Sequence, residues 1–219
     1  MTTVRGELTR TRILDAALAL FRERGYDNTT MRAIAERAQV ALGNAYYYFE
    51  SKDHLIQAFY GRTHDEHLAV CQPLLAETGS LRERLLMVMR AKLDTIEPYH
   101  QFAGALFKTA ADPASPLNPF SDASRPVREE AIALFRTVVD GATTKIPADL
   151  RAELPQLLWT YHMGIILYWI HDRSTGRAKS YRLVEQTVML IDRLVALAGL
   201  PLMGSIRASV LEMIAESQQ

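Results

Sequence analysis

Apolar residues recur along nearly the whole chain at the three-and-four spacing of an α-helix. No stretch alternates apolar and polar residues with the period of two that a half-buried strand needs. The pattern predicts an all-α fold. Ile13, Ala16, Ala17, Leu20 and Phe21 fall on one helical face, and Gly25 stands just past the last turn, where a left-handed residue commonly ends a helix. A first helix is therefore expected from about Leu8 to Arg24. Thr29 and Thr30 offer N-cap hydroxyls to a short second helix lined by Met31, Ile34, Ala35 and Ala38. A third starts at Ala41 or Leu42 and runs to about Tyr48, and Ser51 caps a longer fourth that carries Leu55 and Phe59.

Beyond Pro73 and Gly79, helical patterns cover about 80–97, 99–111, 125–143, 150–172, 179–199 and 204–217. Asp112 to Ser124, with three prolines, reads as a loop. No fixed repeat is visible. The simplest partition is two helical domains, 1–50 and 51–219, with the helix from residue 51 linking them.

The order of residue sizes in the first fifty positions is informative. A helix-turn-helix needs two axes close enough for the second helix to project into a DNA groove, and Ala35 and Ala38 supply that thinness. Val40 is placed to plug the turn. The following LGNAYYYF puts small residues first, where backbone must approach DNA, and aromatics afterwards. Four consecutive residues on a helix point around most of its circumference, so Tyr46 and Tyr47 are assigned outward and Phe49 inward, with Tyr48 unassigned.

The string Thr29-Thr30-Met31-Arg32-Ala33-Ile34-Ala35, then Ala38, Val40, Gly43, Tyr46, Tyr48-Phe49, Ser51-Lys52 and Leu55, resembles the TetR family of bacterial transcription regulators over roughly residues 8 to 60. The resemblance implies a three-helix DNA-binding domain followed by a larger helical domain that binds a small molecule and dimerises. It also implies that Leu42, Gly43, Asn44, Tyr46 and Tyr47 stand on the recognition helix, with Arg32 at a base edge or phosphate. Their chemistry agrees: arginine can fork onto a guanine edge, a tyrosine hydroxyl can reach a phosphate, and Leu42 offers only apolar contact to a thymine methyl. Thr30 and Lys52, at the starts of the second and fourth helices, are further phosphate candidates. The chain departs from the family at Gln39, where glycine is usual, and at Asn44 and Ala45, where threonine and leucine are common. A left-handed turn at Gln39 costs a residue with a Cβ about 1 kcal/mol.

Charge changes this picture little. The formal net charge is zero, so any attraction to nucleic acid must be local. Residues 1–49 hold seven basic side chains against five acidic ones, and Arg5, Arg10 and Arg12 at the amino end are candidates for salt-dependent phosphate contacts.

Helix-turn-helix proteins usually act as dimers, since one short helix reads too few base pairs. The stretches 150–172 and 179–199 are apolar over more than one stripe (Leu154, Leu157, Leu158, Tyr161, Ile165, Tyr168, Trp169; Leu183, Val184, Val188, Ile191, Leu194, Val195), which suits a four-helix dimer bundle. Met87, Tyr99, Phe102, Phe107, Trp159, Tyr161, His162 and Met163 are the candidates for lining an effector cavity.

Other chemistries find little support. His64-Asp65-Glu66-His67 puts two histidines at i and i+3 but no third ligand follows, and the segment reads as a solvated charged turn. Cys71, the single cysteine, reads as a buried small hydrophobe. A phosphate-cradling glycine loop, a GxSxG elbow and an HExxH helix are all missing, so neither an enzyme nor a cofactor is expected. No signal-like segment or membrane-length apolar run is read, and a cytoplasmic homodimer that meets double-stranded DNA and a small effector, but no membrane, is the expectation.

Overall fold

The computed structural model describes residues 4–205, 207–209 and 212. Its helices are α1 Val4–Arg24, α2 Met31–Arg37, α3 Leu42–Tyr48, α4 Lys52–Leu74, α5 Leu81–Ile96, α6 His100–Ala110, α7 Arg125–Asp140, α8 Ala148–His171 and α9 Ala178–Ala198. No strand occurs among the described residues, so the all-α expectation holds. Most of the helix expected over 204–217 lies outside them. Helix α1 starts a turn earlier than the periodicity predicts, because its first turn, Val4–Glu7, is largely exposed and carries no apolar stripe to read. Gly25, at φ 80, ends that helix, its N–H closing onto the Phe21 carbonyl at 3.0 Å.

The chain divides into two compact units, Met1–Asp65 with Ile96–Arg128, and Glu66–Thr95 with Glu129–Gln219. The first has an aromatic and aliphatic core in which Ile13, Ala17, Phe21, Ile34, Leu55 and Ile56 are almost wholly enclosed. Phe102 from α6 stacks on Phe21, with ring centroids 5.5 Å apart, and meets Phe59 of α4 edge-on. Burying a phenylalanine so completely contributes roughly 1.5–3 kcal/mol. It makes α6 part of the scaffold behind the helix-turn-helix.

In the second unit, Arg84 of α5 is buried and donates to four backbone carbonyls, those of Leu75, Glu77, Thr137 and Val138. It thereby satisfies the open C-terminal end of α7. Gly141 follows that end, and a Cβ there would overlap the guanidinium. Between α8 and α9, buried Asp172 accepts from the backbone N–H and hydroxyl of both Ser174 and Ser180. Burial pushes its carboxyl up, but those four bonds outweigh that and hold it well below the usual carboxylate range. Tyr161 joins the two helices by donating to Thr187 Oγ1 at 2.6 Å, since that hydroxyl's own proton goes to the Leu183 carbonyl.

Candidate nucleic-acid interface

Thr30 caps α2, its hydroxyl accepting from Ala33 N at 3.2 Å, while Thr29 is buried and ties back to the Gly25 carbonyl. Ala35 and Ala38 are fully enclosed, so α3 can cross α2 closely. Gln39 takes the left-handed conformation, φ 54, at the position where the family usually has glycine, and Val40 N then bonds back to Ala35 O at 3.0 Å to complete the turn. Val40 packs, half-buried, against the core as the plug.

Along α3 the side chains sort by facing. Ala45 and, at the helix end, Phe49 are buried, whereas Gly43 and Asn44 are exposed and Tyr46 and Tyr47 are 48% and 81% exposed. Leu42 is half-buried against the core, which leaves part of it for an outside contact. Tyr48 is also half-buried and meets Tyr47 edge-on at 5.1 Å. Thr30 and Arg32 are exposed on α2. Polar and aromatic groups that can donate to phosphates and base edges therefore lie outward on two short helices braced from behind.

Lys52 is placed differently. Its ammonium donates to the Tyr26 carbonyl at 2.8 Å and lies 4.3 Å from the Tyr26 ring centroid, while the Tyr26 hydroxyl bonds Asp53. These three residues clamp the turn after α1 to the start of α4. A phosphate contact by Lys52 would have to share or replace that bond. A second brace joins Arg37 of α2 to Glu23 of α1 by two hydrogen bonds, at 2.7 and 3.1 Å, and the Arg37 hydrogen bond holds the Glu23 carboxyl below its ordinary range. Neither brace was legible in the sequence, because their partners lie 14 to 27 residues apart with no periodic signal.

The eight cavity candidates do not share one unit. Tyr99, Phe102 and Phe107 lie in the first, where Tyr99 and Phe102 pack on Phe59. Met87, Trp159, Tyr161, His162 and Met163 lie in the second. Phe102 of α6 turns to Phe21 of α1 and Phe59 of α4. A groove of about 600 Å³ in the first unit is lined by Arg10, Leu14, Tyr48, Gln57 and Arg62 among others, and by none of the eight. His64 and His67 are also corrected: both are buried, and only Asp65 and Glu66 between them face outward. Cys71 is buried as expected, and burial pushes its thiol up to about 11.

Comparison with known proteins adds to this geometry. Residues 13–59 match the profile described as "Bacterial regulatory proteins, tetR family", and residues 84–210 match "Tetracyclin repressor-like, C-terminal domain". The chain belongs to the tetR family of bacterial regulatory proteins. Among tetR-family relatives, the HTH-type transcriptional repressor KstR of Mycolicibacterium smegmatis is 55% identical over 53 residues, 24% of this chain and 26% of that protein. KstR2 of Mycobacterium tuberculosis is 33% identical over 96 residues, 44% of this chain and 46% of its own length. The chain thus matches about a quarter of KstR and less than half of KstR2. Two solved tetR-family structures share the fold: a regulator from Nitrosomonas europaea (TM-score 0.63, 17% identity, 83% of this chain and 96% of that one) and one from Haloarcula marismortui (0.64, 19%, 83% and 96%). No helix among the described residues is long and apolar enough to cross a membrane.

Proposed function

We propose that the chain is a DNA-binding transcription regulator, and specifically a repressor that leaves a palindromic operator when a small molecule binds. The observation that carries this reading is the facing of α3: Ala45 and Phe49 are locked into the core, and Gly43, Asn44, Tyr46 and Tyr47 stand outward on a braced helix. In this reading α3 enters the major groove. Gly43 lets backbone approach, Asn44 and Leu42 meet base edges, Tyr46 and Tyr47 reach phosphates, and Thr30 and Arg32 add contacts from α2. Residues 1–50 are the reading head, and 51–219 sense the effector and dimerise.

Support for a homodimer comes from α8 and α9. Their inner faces bury Leu154, Leu158, Ile165, Trp169, Val184, Val188 and Val195. Leu167 and Tyr168 on α8 and Leu190, Leu194 and Leu197 on α9 remain exposed. Residues 190, 194 and 197 form one stripe at helical spacing. Apolar stripes of that kind on two helices suit a two-fold four-helix bundle with a second copy. Effector binding in the 51–219 part acts by shifting α4, which carries residues of both units, and so changes the separation of the two recognition helices.

Selection of bound duplexes from a random pool, at two salt concentrations, tests the reading on wild type and Tyr47→Ala. An enriched palindrome, bound at least tenfold more weakly by Tyr47→Ala and more weakly by both at high salt, is the expected result. No enrichment at either salt would overturn DNA recognition.

A further inference from the structure

The groove in the first unit is built by residues of α1, the end of α3 and the front half of α4. At about 600 Å³ it has the size of a small-molecule site. Along α4 its lining runs from His54 through Ala58 and Gly61 to Asp65, eleven residue steps or roughly 16 Å of helix, so the groove is elongated. None of the residues expected to line an effector cavity borders it.

Its two ends carry opposite charges that the protein leaves uncommitted. By the start of α4, Arg10 lays its guanidinium over the Phe49 ring, 5.0 Å from the centroid, and among the described residues it makes no ion pair or hydrogen bond. Stacking fixes the plane of a guanidinium and leaves its N–H edge open to a carboxylate. Asp65, the last lining residue along α4, is exposed and likewise bonded to nothing among the described residues. Between them, Arg62 is balanced by Asp15 at 2.5 Å, and Gln57 donates to the Pro116 carbonyl at 2.6 Å. The middle of the groove is open at Gly61. Glycine weakens a helix interior, yet this one has no positive φ, and a Cβ on it would meet nothing within 4 Å. Packing within the protein does not ask for it, whereas an occupant lying against the α4 backbone does.

We propose that the α1–α4 groove binds an elongated apolar molecule with a carboxylate at one end and a hydroxyl or amine at the other. Arg10 receives the carboxylate, Leu14, Ala58 and Gly61 flank the apolar body, and Asp65 accepts from the donor. A phosphate dianion or a second carboxylate fits poorly, because one free cation balances one charge and Asp65 repels another. Tyr48 and Phe49 line the groove at the end of α3, so an occupant touches the base of the outward-facing helix.

The test uses the full chain at pH 7 with three probes of equal length: 12-hydroxydodecanoate, dodecane-1,12-diol and dodecanedioate. Affinity is read by calorimetry and location by backbone amide NMR shifts. Wild type is expected to bind the hydroxy acid about tenfold more tightly than the diol and about fivefold more tightly than the diacid, with shifts at Phe49 and Gly61. Arg10→Gln should bring hydroxy acid and diol within about threefold, and Asp65→Asn should do the same for hydroxy acid and diacid. Gly61→Leu fills the groove, and should weaken the hydroxy acid about tenfold or more while melting no lower than wild type. Equal affinity of wild type for the three probes, a preference for the acid that survives in Arg10→Gln, or shifts confined to the second unit would each overturn the inference. Unchanged binding by Gly61→Leu would overturn it too, as would a lower melting temperature for that variant, which would show the glycine to serve packing. So would failure of all three probes to bind.

Discussion

The two units treat buried polarity in opposite ways. In the first, the buried polar side chains among the described residues are Thr29, Thr63, His64 and Ser124, none of them a lysine, arginine or carboxylate, and both threonines bond backbone carbonyls of the preceding turn. Its stability comes from aromatic packing, and its polar groups of functional interest lie outside on α2 and α3. In the second, Arg84, Lys92, Asp172, His67 and His162 are all enclosed. The difference teaches what each part is built for. The first unit keeps its charged groups on the surface of an apolar wedge, whereas the second carries charges inside, where Arg84 holds the end of α7 and Asp172 the turn between α8 and α9.

Substitutions can break or sharpen that contrast. The largest effect is expected in the first unit. Phe102→Ala removes a ring held between Phe21 and Phe59 and should cost about 3–5 kcal/mol in urea unfolding. In the second unit, Asp172→Ala should cost about 3 kcal/mol at pH 7, because four donors lose a charged acceptor. That contribution has a defined pH window. The folded carboxyl lies below its unfolded value of 3.8, so the stabilisation is present above about pH 4 and is lost as pH falls through the folded value. Acid unfolding of Asp172→Asn should accordingly be shallower than that of wild type.

Smaller effects follow. Gly141→Ala drives a Cβ into the Arg84 guanidinium and should lower stability by about 1–3 kcal/mol, which a thermal melt will show. Gln39→Gly relieves a left-handed residue and should raise stability by up to about 1 kcal/mol, an increase of roughly 2–4 °C in the melting temperature. Tyr47→Ala is the sharpest probe of the contrast. Being 81% exposed, it should change stability by less than about 0.5 kcal/mol while weakening DNA binding at least tenfold.

Much of the first unit was legible because its signals are local. The apolar spacing of Ile13 to Phe21, the Thr30 cap, thin Ala35 and Ala38 and the inward Phe49 are each decided within a few residues, and all appear as expected. The braces Tyr26–Asp53, Lys52–Tyr26 and Arg37–Glu23 were not legible, since no spacing rule links their partners. The burial of Lys92 leaves a signal in the sequence. Leu85, Val88, Met89, Lys92 and Ile96 make one helical stripe, and a lysine within an apolar stripe marks a charge carried into a core.

By itself, then, the sequence determined the helices, their caps, the turn and the outward face of α3, because these depend on contacts a few positions apart. Only the tertiary structure decided that α6 belongs with the first unit, that His64 and His67 turn inward, and that the stem of Lys92 is buried in the second. Periodicity shows that a residue faces a neighbour, but which neighbour it meets depends on how distant segments pack.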